Sequence, residues 1–372
     1  MPKLKYAKPY YLNLTQQPLG GTSFKNWLRL LVENKFRIDW QFIPRAIYVT
    51  LLILSLTPFR IKEKRKIEEK LKDVKIVPPL FIVGHFRSGT TFLHYLMGQD
   101  KSLAYVSTFE TMAPWVLLNE KLRKLVEERL PEKRPMDDLE MEAGLPYEEE
   151  YAIANLCPYS FYHGWYFPKR IFDYFRKYVL FEGVSNEIKE EWKYWYEYLL
   201  KKITLKHDGK RILLKSPVNT GRIKLLLEIF PDAKFIHIYR NPYKVYLSTW
   251  RLYEKILPIF SFQHVEKEKI DRLIIEFYKE VYKRYFKERE LISEGNLVEI
   301  SYEEFVKEPL KKLRWIYEEL GLDGFEKAKP YFEKYIEKHK NYKPHGYLIT
   351  DKIKEKIYKE WKFAFEKLGY EK

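Results

Sequence analysis

The chain has a single cysteine, Cys157, among its 372 residues, which excludes an internal disulfide. Histidine is scarce as well, at eight, and no spacing of His, Asp and Glu offers a ligand set, so the sequence implies no metal. The opening Met1-Pro-Lys-Leu-Lys-Tyr6 carries no secretory signal pattern, which sets a cytoplasmic expectation. The most apolar run, residues 46–56, is eleven residues long, short of the roughly twenty that span a bilayer. Its flanks, Arg45 and residues 60–70, are basic. Two readings stay open for it: a helix packed on the core, or an interfacial segment that meets a membrane-bound acceptor at the inner face of the membrane. Internal repeats, low-complexity tracts and nucleic-acid-binding modules are all absent from the sequence.

What is abundant is charge and aromatic surface. A net charge of +16 suits a polyanionic ligand or a lipid headgroup surface. The lysines alternate with glutamates, as in Ile61-Lys-Glu-Lys-Arg-Lys-Ile-Glu-Glu-Lys70, so most of them form solvated helix faces rather than a nucleic-acid tract. With 46% apolar and 17% aromatic residues, the chain can bury a large core, and one elaborated domain is expected.

The most informative stretch is Pro79-Leu-Phe-Ile-Val-Gly-His-Phe-Arg-Ser-Gly-Thr-Thr-Phe92. The run from Leu80 to Val83 reads as a buried parallel strand. It breaks into a loop bounded by Gly84 and Gly89, and a helical pattern begins at Thr90. Strand, glycine-bounded loop and helix N-terminus make an anion cradle from backbone N–H groups and the helix dipole. Arg87 and the hydroxyls of Ser88, Thr90 and Thr91 complete a site for phosphate or sulfate. A nucleotide triphosphatase loop places a lysine after its second glycine; here that position holds Thr90. A P-loop kinase or nucleotide hydrolase is the competing reading, and the missing lysine weighs against it.

Three later segments add to the site. Residues 211–215 read as a strand ending in Lys215, followed by a helix over 222–230. Residues 233–239 form another strand, which Arg240-Asn-Pro leaves, and Ser248 starts a helix eight residues on. An arginine at a strand end and a serine at a helix start can converge on one phosphate. Residues 297–301 are a further strand, with Ser301 and Tyr302 at its end. The fold class that follows is three-layer α/β, a central parallel sheet flanked by helices in a P-loop-like arrangement.

In these ordered motifs the sequence resembles the sulfotransferases that use 3′-phosphoadenosine 5′-phosphosulfate (PAPS), and most of all their bacterial, broad-specificity branch. The family's P-[RK]-S-G-T-T loop matches Phe86-Arg-Ser-Gly-Thr-Thr91, with phenylalanine in place of proline. The resemblance assigns the 5′-phosphosulfate to Arg87, Ser88, Gly89, Thr90 and Thr91, and the 3′-phosphate to Arg240 and Ser248. It places Phe92 and Tyr302 against the adenine. The matched motifs run over residues 79–310. They imply sulfuryl transfer from PAPS to an acceptor hydroxyl, less readily an amine, with release of adenosine 3′,5′-bisphosphate.

Sulfuryl transfer, like phosphoryl transfer, asks the protein chiefly for positioning and charge stabilisation. Arg87 and then Lys215 are the candidate cations beside the leaving oxygen; the plain alternative for Lys215 is an exposed strand-end lysine. A base must also accept the acceptor's proton. The cytosolic branch uses a histidine directly after a K-[ST] pair, and Pro217 occupies that position. Glu110 is the candidate instead, at the end of an expected second strand, in an E-T context that Golgi tyrosylprotein sulfotransferases resemble. Glu148, Glu149 and Glu150 are runners-up, or simply the acidic first turn of a helix after Pro146. His85 can touch the sulfate or serve the structure, and His163 sits in an aromatic cluster. Residues 1–75 are expected as a helical extension and 76–372 as the sulfotransferase domain. An acceptor-side helical insertion falls at about 115–205, where Trp165, Tyr166, Trp192 and Trp195 suit a glycan or a lipid equally. The basic linker 338–345 is placed to cover a bound nucleotide. Acceptor identity and oligomeric state are left open.

Overall fold

The computed structural model describes residue 4 and residues 17–134, 139–340 and 349–372. In chain order, helices α1 (Phe24–Glu33) and α2 (Ile43–Lys72) precede β1 (Leu80–Val83), α3 (Thr90–Met97), β2 (Leu103–Tyr105) and α4 (Thr108–Met112). Helices α5 (Glu120–Glu127), α6 (Glu149–Leu156), α7 (His163–Tyr166), α8 (Ile171–Tyr178) and α9 (Asn186–Lys206) come next. Then follow β3 (Arg211–Lys215), α10 (Ile223–Ile229), β4 (Lys234–Tyr239), α11 (Pro242–Phe260), α12 (Lys267–Glu288) and β5 (Leu297–Ser301). Helices α13 (Tyr302–Lys307), α14 (Pro309–Glu319), α15 (Phe325–His339) and α16 (Asp351–Leu368) complete the chain. The expected linker at 338–345 falls largely on residues 341–348, outside the described residues.

All five strands are parallel and lie in the order β2-β3-β1-β4-β5. All four side chains of β1 are buried, as an apolar run must be when both faces of a parallel sheet are covered by helices. From β1 the chain first builds outward on one side through β2 and β3, then crosses to β4 and β5 on the other. β1 therefore sits at the reversal, where open parallel sheets bind ligands at their carboxyl ends. The register sets Ile82 beside Lys215 and Val83 beside His237, so the loops after β1, β3 and β4 leave the sheet at one level.

By its internal contacts the chain groups into two compact units. The sheet unit comprises residues 76–105, 209–250 and 274–372; the helical unit comprises 1–75, 106–208 and 251–273. The N-terminal extension and the insertion, set apart in the sequence, thus belong to one body. Buried polar contacts explain why. The fully buried Arg45 guanidinium donates to the carbonyl oxygens of Ser261 (2.5 Å) and Pro258 (3.1 Å). The Lys202 ammonium, on α9, meets the Glu63 carboxylate of α2 at 2.8 Å, and both are buried. Burial pulls the Lys202 pKa down against the attraction of Glu63.

Helix α2 runs sixteen residues beyond Leu56, the end of the most apolar run. Pro58 does not stop it, because its buried face continues beyond with Glu63, Ile67 and Leu71, and packing there outweighs one lost backbone hydrogen bond. By length and composition α2 is apolar enough to cross a membrane, and only 22% of its most apolar stretch is buried. Its outward side shows Ile43, Ile47, Leu51 and Leu54, and α1 shows Phe24, Leu28 and Val32.

The aromatic region of the helical unit is core rather than an open acceptor wall. Trp165, Tyr166 and Trp192 are 2%, 1% and 0% exposed, and Tyr162 stacks on Trp165 at 3.9 Å between ring centroids. Trp195 is half-buried against Trp115. In the sheet unit, Trp361 of α16 stacks on Tyr278 of α12 at 3.8 Å.

Candidate active site

Gly84 opens the loop after β1 at φ +144°, and a Cβ there would lie 2.2 Å from the Ile238 carbonyl oxygen. Its N–H donates to Thr220 Oγ1 at 2.8 Å. Thr220 follows β3 and was not singled out in the sequence, although Asn219-Thr220-Gly221 directly after a strand end is a turn signal. Arg87 takes a left-handed φ of +70°, a conformation that non-glycine residues adopt at a cost and that recurs at ligand-binding loops. Gly89 caps α3 at φ +96°, with Tyr302 so close that a Cβ would come within 2.2 Å of its ring. The first-turn N–H groups of α3 face the loop without intrahelical acceptors, as in any helix.

The predicted donor residues come together in the sheet unit. Arg87 Nε donates to Ser248 Oγ at 2.9 Å, and Arg240 Nη1 donates to the Arg87 carbonyl at 3.2 Å. The Arg240 guanidinium lies 4.4 Å from the centroid of the Tyr302 ring, a cation–π distance. Lys215 is 1% exposed, which removes the reading of it as a solvated strand-end lysine. Its ammonium donates to Thr91 Oγ1 at 3.3 Å, so it is aimed at the loop. Ser248 differs in one respect from expectation: α11 begins at Pro242, so the serine occupies the second turn rather than the start. Proline suits the first helical position, and it begins the helix early. Phe92 is half-buried, with Phe305 at 5.7 Å and Tyr335 at 6.2 Å.

His85 turns away from the cradle. Its ring is buried against Phe277 and Tyr278, its Nδ1 meets the Phe86 carbonyl at 2.8 Å, and burial lowers its pKa to about 4. It is a neutral core ring at working pH. His163 is likewise buried, between the carbonyls of Ala154 (2.8 Å) and Pro158 (3.1 Å), with its pKa lowered by burial to about 4. Among the described residues, no three His, Cys, Asp or Glu side chains gather to hold a metal ion.

Glu110 belongs to the helical unit. It is not at a strand end but in the first turn of α4, where it and Ser107 form a reciprocal capping box. Oε2 accepts from the Ser107 N–H at 2.6 Å, and Oε1 lies 2.8 Å from the Lys206 ammonium and 3.7 Å from His207 Nε2. Burial alone would raise its pKa, but the neighbouring His207, Lys206 and the Ser107 amide outweigh it and bring the value down to about 2. The three glutamates at the start of α6, Glu148 as its N-cap and Glu149 and Glu150 in its first turn, point to separate partners. Tyr162 OH donates to Glu148, Tyr196 OH to Glu149 at 2.9 Å, and Ser160 Oγ to Glu150 at 2.7 Å.

The helical unit also holds an apolar cavity. Its walls include Leu52 and Leu56 of α2, Met112 and Ala113 directly after Glu110, Val126 of α5 and Phe260 of α11. Gln17 and Arg129 are among its few polar neighbours.

The sequence signature of the Sulfotransferase family covers residues 78–327. Over 357 residues, the chain is 31% identical to omega-hydroxy-beta-dihydromenaquinone-9 sulfotransferase Stf3 of Mycobacterium tuberculosis and, equally, of Mycobacterium bovis, spanning 95% of this chain and 91% of each relative. Two crystal structures share the fold at low identity. Sulfotransferase STF9 from Mycobacterium avium aligns with a TM-score of 0.67 at 17% identity, over 94% of this chain and 97% of the other. Sulfotransferase STF1 from Mycobacterium tuberculosis aligns with 0.63 at 14%, over 96% and 98%.

Proposed function

The chain belongs to the sulfotransferase family, and from that premise we propose that it moves the sulfuryl group of PAPS to a hydroxyl on a lipid-like acceptor. The observation that carries the donor half is the convergence of Arg87, Ser248, Arg240 and Tyr302 around Gly89 at the carboxyl end of β1. Two further features fit a large anionic donor: among the described residues the buried Arg240 Nε and Ser216 Oγ have no hydrogen-bond partner, and the cradle at Gly84 and Gly89 leaves no room for a Cβ. Buried donors of this kind are costly unless a ligand satisfies them. Bound PAPS supplies an activated sulfuryl group with a nucleotide phosphate as its leaving group.

The chain's own residues do the rest. Ser88, Thr90, Thr91 and the α3 amides hold the phosphosulfate, and Arg240 and Ser248 hold the 3′-phosphate. Lys215, already directed at Thr91, neutralises charge that develops on the bridging oxygen. Glu110 is the proton acceptor in this reading. A carboxylate with a pKa near 2 is fully ionised at neutral pH, and an acceptor hydroxyl would reach it by displacing one of its present partners, of which the Lys206 and His207 side chains are only half-buried. It is a weak base, but a loose transition state releases the acceptor's proton late and demands little basicity. The acceptor half is supported by the cavity, whose walls are mostly apolar and include the residues just after Glu110. It is supported too by the name of the Mycobacterium relatives, which act on a hydroxylated menaquinone derivative.

Thermal stabilisation by adenosine 3′,5′-bisphosphate, AMP and Mg-ATP at equal concentration tests the donor half. A ligand present at a hundred times its dissociation constant adds about 2.7 kcal/mol, and the bisphosphate alone is expected to do so. Stabilisation by Mg-ATP alone would move the protein to the phosphoryl-transfer class.

A further inference from the structure

Of seventeen large apolar side chains exposed among the described residues, eleven lie within residues 24–61. Scattered exposure is ordinary, but a gathering of this size marks a surface that meets something. Phe24, Leu28 and Val32 recur every four residues on α1, and Ile43, Ile47, Leu51 and Leu54 recur at helical spacing on α2, so each set runs along one side of its helix. Trp40, in the connection between them, is 75% exposed. The opposite sides are already occupied, with Trp27 and Leu30 of α1 and Val49 and Ile53 of α2 buried.

The exposed charges nearest these stripes are cationic, and acidic ones come only beyond residue 66, with Glu68 at 3.6 Å from Lys64. Every exposed charged residue between 24 and 66 is cationic: Lys25, Arg29, Lys35 and Arg37 at one end, and four of residues 62–66 at the other. Glu33 and Asp39 are half-buried and Glu63 is buried. Apolar stripes bordered by lysine and arginine are the composition of a segment lying in an anionic headgroup layer. The same helix walls the apolar cavity through Tyr48, Leu52 and Leu56, each one or two positions from an exposed stripe residue.

We propose that the α1–α2 face docks on an anionic lipid bilayer and that the cavity behind α2 receives its acceptor's apolar tail from that bilayer. The helix lies on the surface and does not cross it, because Arg45 near one end and Glu63 near the other are locked into buried polar contacts within the helical unit. A second copy of the chain is a poorer occupant, since a symmetric contact would press like charges together. The delivery of the tail rests on the lipid-acceptor reading; the docking does not.

Flotation with vesicles tests the docking, using one part phosphatidylglycerol to three parts phosphatidylcholine beside pure phosphatidylcholine. The full chain is expected to float with the anionic vesicles and to release when salt is raised. Ile47→Asp/Leu51→Asp is expected to weaken the association at least about tenfold, because charge replaces apolar contact in the interface. Lys62→Glu/Lys66→Glu changes only exposed charge and is expected to weaken anionic binding alone. A chain that stays at the bottom of the gradient, variants that float like the parent, or equal flotation with neutral vesicles would overturn the proposal. So would a dimer by light scattering that Ile47→Asp/Leu51→Asp dissociates. An unchanged melting shift with adenosine 3′,5′-bisphosphate establishes that the variants are folded. If the parent itself shows no such shift, the donor reading fails while the flotation result still decides the docking.

Discussion

Replacing Gly89 with alanine puts one methyl group into the tightest part of the cradle. Two costs follow, and they fall on different measurements. The first is backbone: at φ +96° an L-residue loses about 1 kcal/mol, which lowers the melting temperature by roughly 2–4 °C for a unit of this size. The second is local. The new Cβ would sit 2.2 Å from Tyr302 Cδ2, so the ring must retreat by roughly 1.5 Å to reach ordinary contact. Retreat weakens its contact with Arg240, worth about 1 kcal/mol, and the stacking it offers a base, worth about 1–2 kcal/mol. The sum, roughly 2–3 kcal/mol, is a thirty- to hundredfold loss of affinity for adenosine 3′,5′-bisphosphate, measured by calorimetric titration. Gly295→Ala is the control. It shares the left-handed backbone, at φ +77°, but a Cβ there meets nothing within 4 Å. It should lower the melting temperature similarly and leave affinity alone. If Gly89→Ala binds the bisphosphate as tightly as the parent, Tyr302 has no part in holding the nucleotide.

Glu110→Gln should abolish most sulfuryl transfer while leaving bisphosphate binding intact; full turnover in the variant removes Glu110 from the chemistry. The same variant carries a pH signature. A carboxylate lowered from 4.5 to about 2 stabilises the fold above pH 4.5 and loses that contribution as pH falls through about 2, so the stability gap between parent and variant, on the order of 3 kcal/mol at neutral pH, should close on acidification. Melts at stepped pH read it, and a gap independent of pH would refute the assignment. Lys215→Met keeps length and removes charge: turnover with a hydroxylated lipid acceptor should fall about 10²- to 10³-fold, with bisphosphate affinity little changed, and a change confined to KM would assign the lysine to binding alone.

Much of this was legible from local pattern. β1 and β3 were bounded correctly because a buried parallel strand centres on a continuous apolar run, Leu80–Val83 in β1 and Ile212–Leu214 in β3, where Arg211 and Lys215 mark the ends. The meeting of Arg87 with Ser248, 161 residues apart, has no local signature, and only the ordered family motifs pointed to it. Two misses had signals that were present. Ser107 and Glu110 have the S-x-x-E spacing of a capping box, which argued for a helix start where a strand end was expected. The full length of α2 was the other, because its buried face resumes beyond the apolar run at Glu63, Ile67 and Leu71, at helical spacing, and packing there overrides Pro58. The separation into two units was illegible, because the contacts that define the helical unit join residues more than two hundred positions apart.

The Arg45 guanidinium and its partners Pro258 and Ser261 are separated by 213 and 216 residues, and that distance has a consequence during synthesis. At about 5–20 residues per second, translation leaves roughly 10–40 s between the emergence of α2 and that of the carbonyls that complete its burial. For that interval the helix presents both an apolar face and an unsatisfied arginine to whatever surrounds the ribosome. The segment made first is closed last. Protease resistance of residues 24–72 in nascent chains stalled just before residue 251 and beyond residue 273 reads this order directly: equal resistance in both would mean that the helix pair secures itself without waiting.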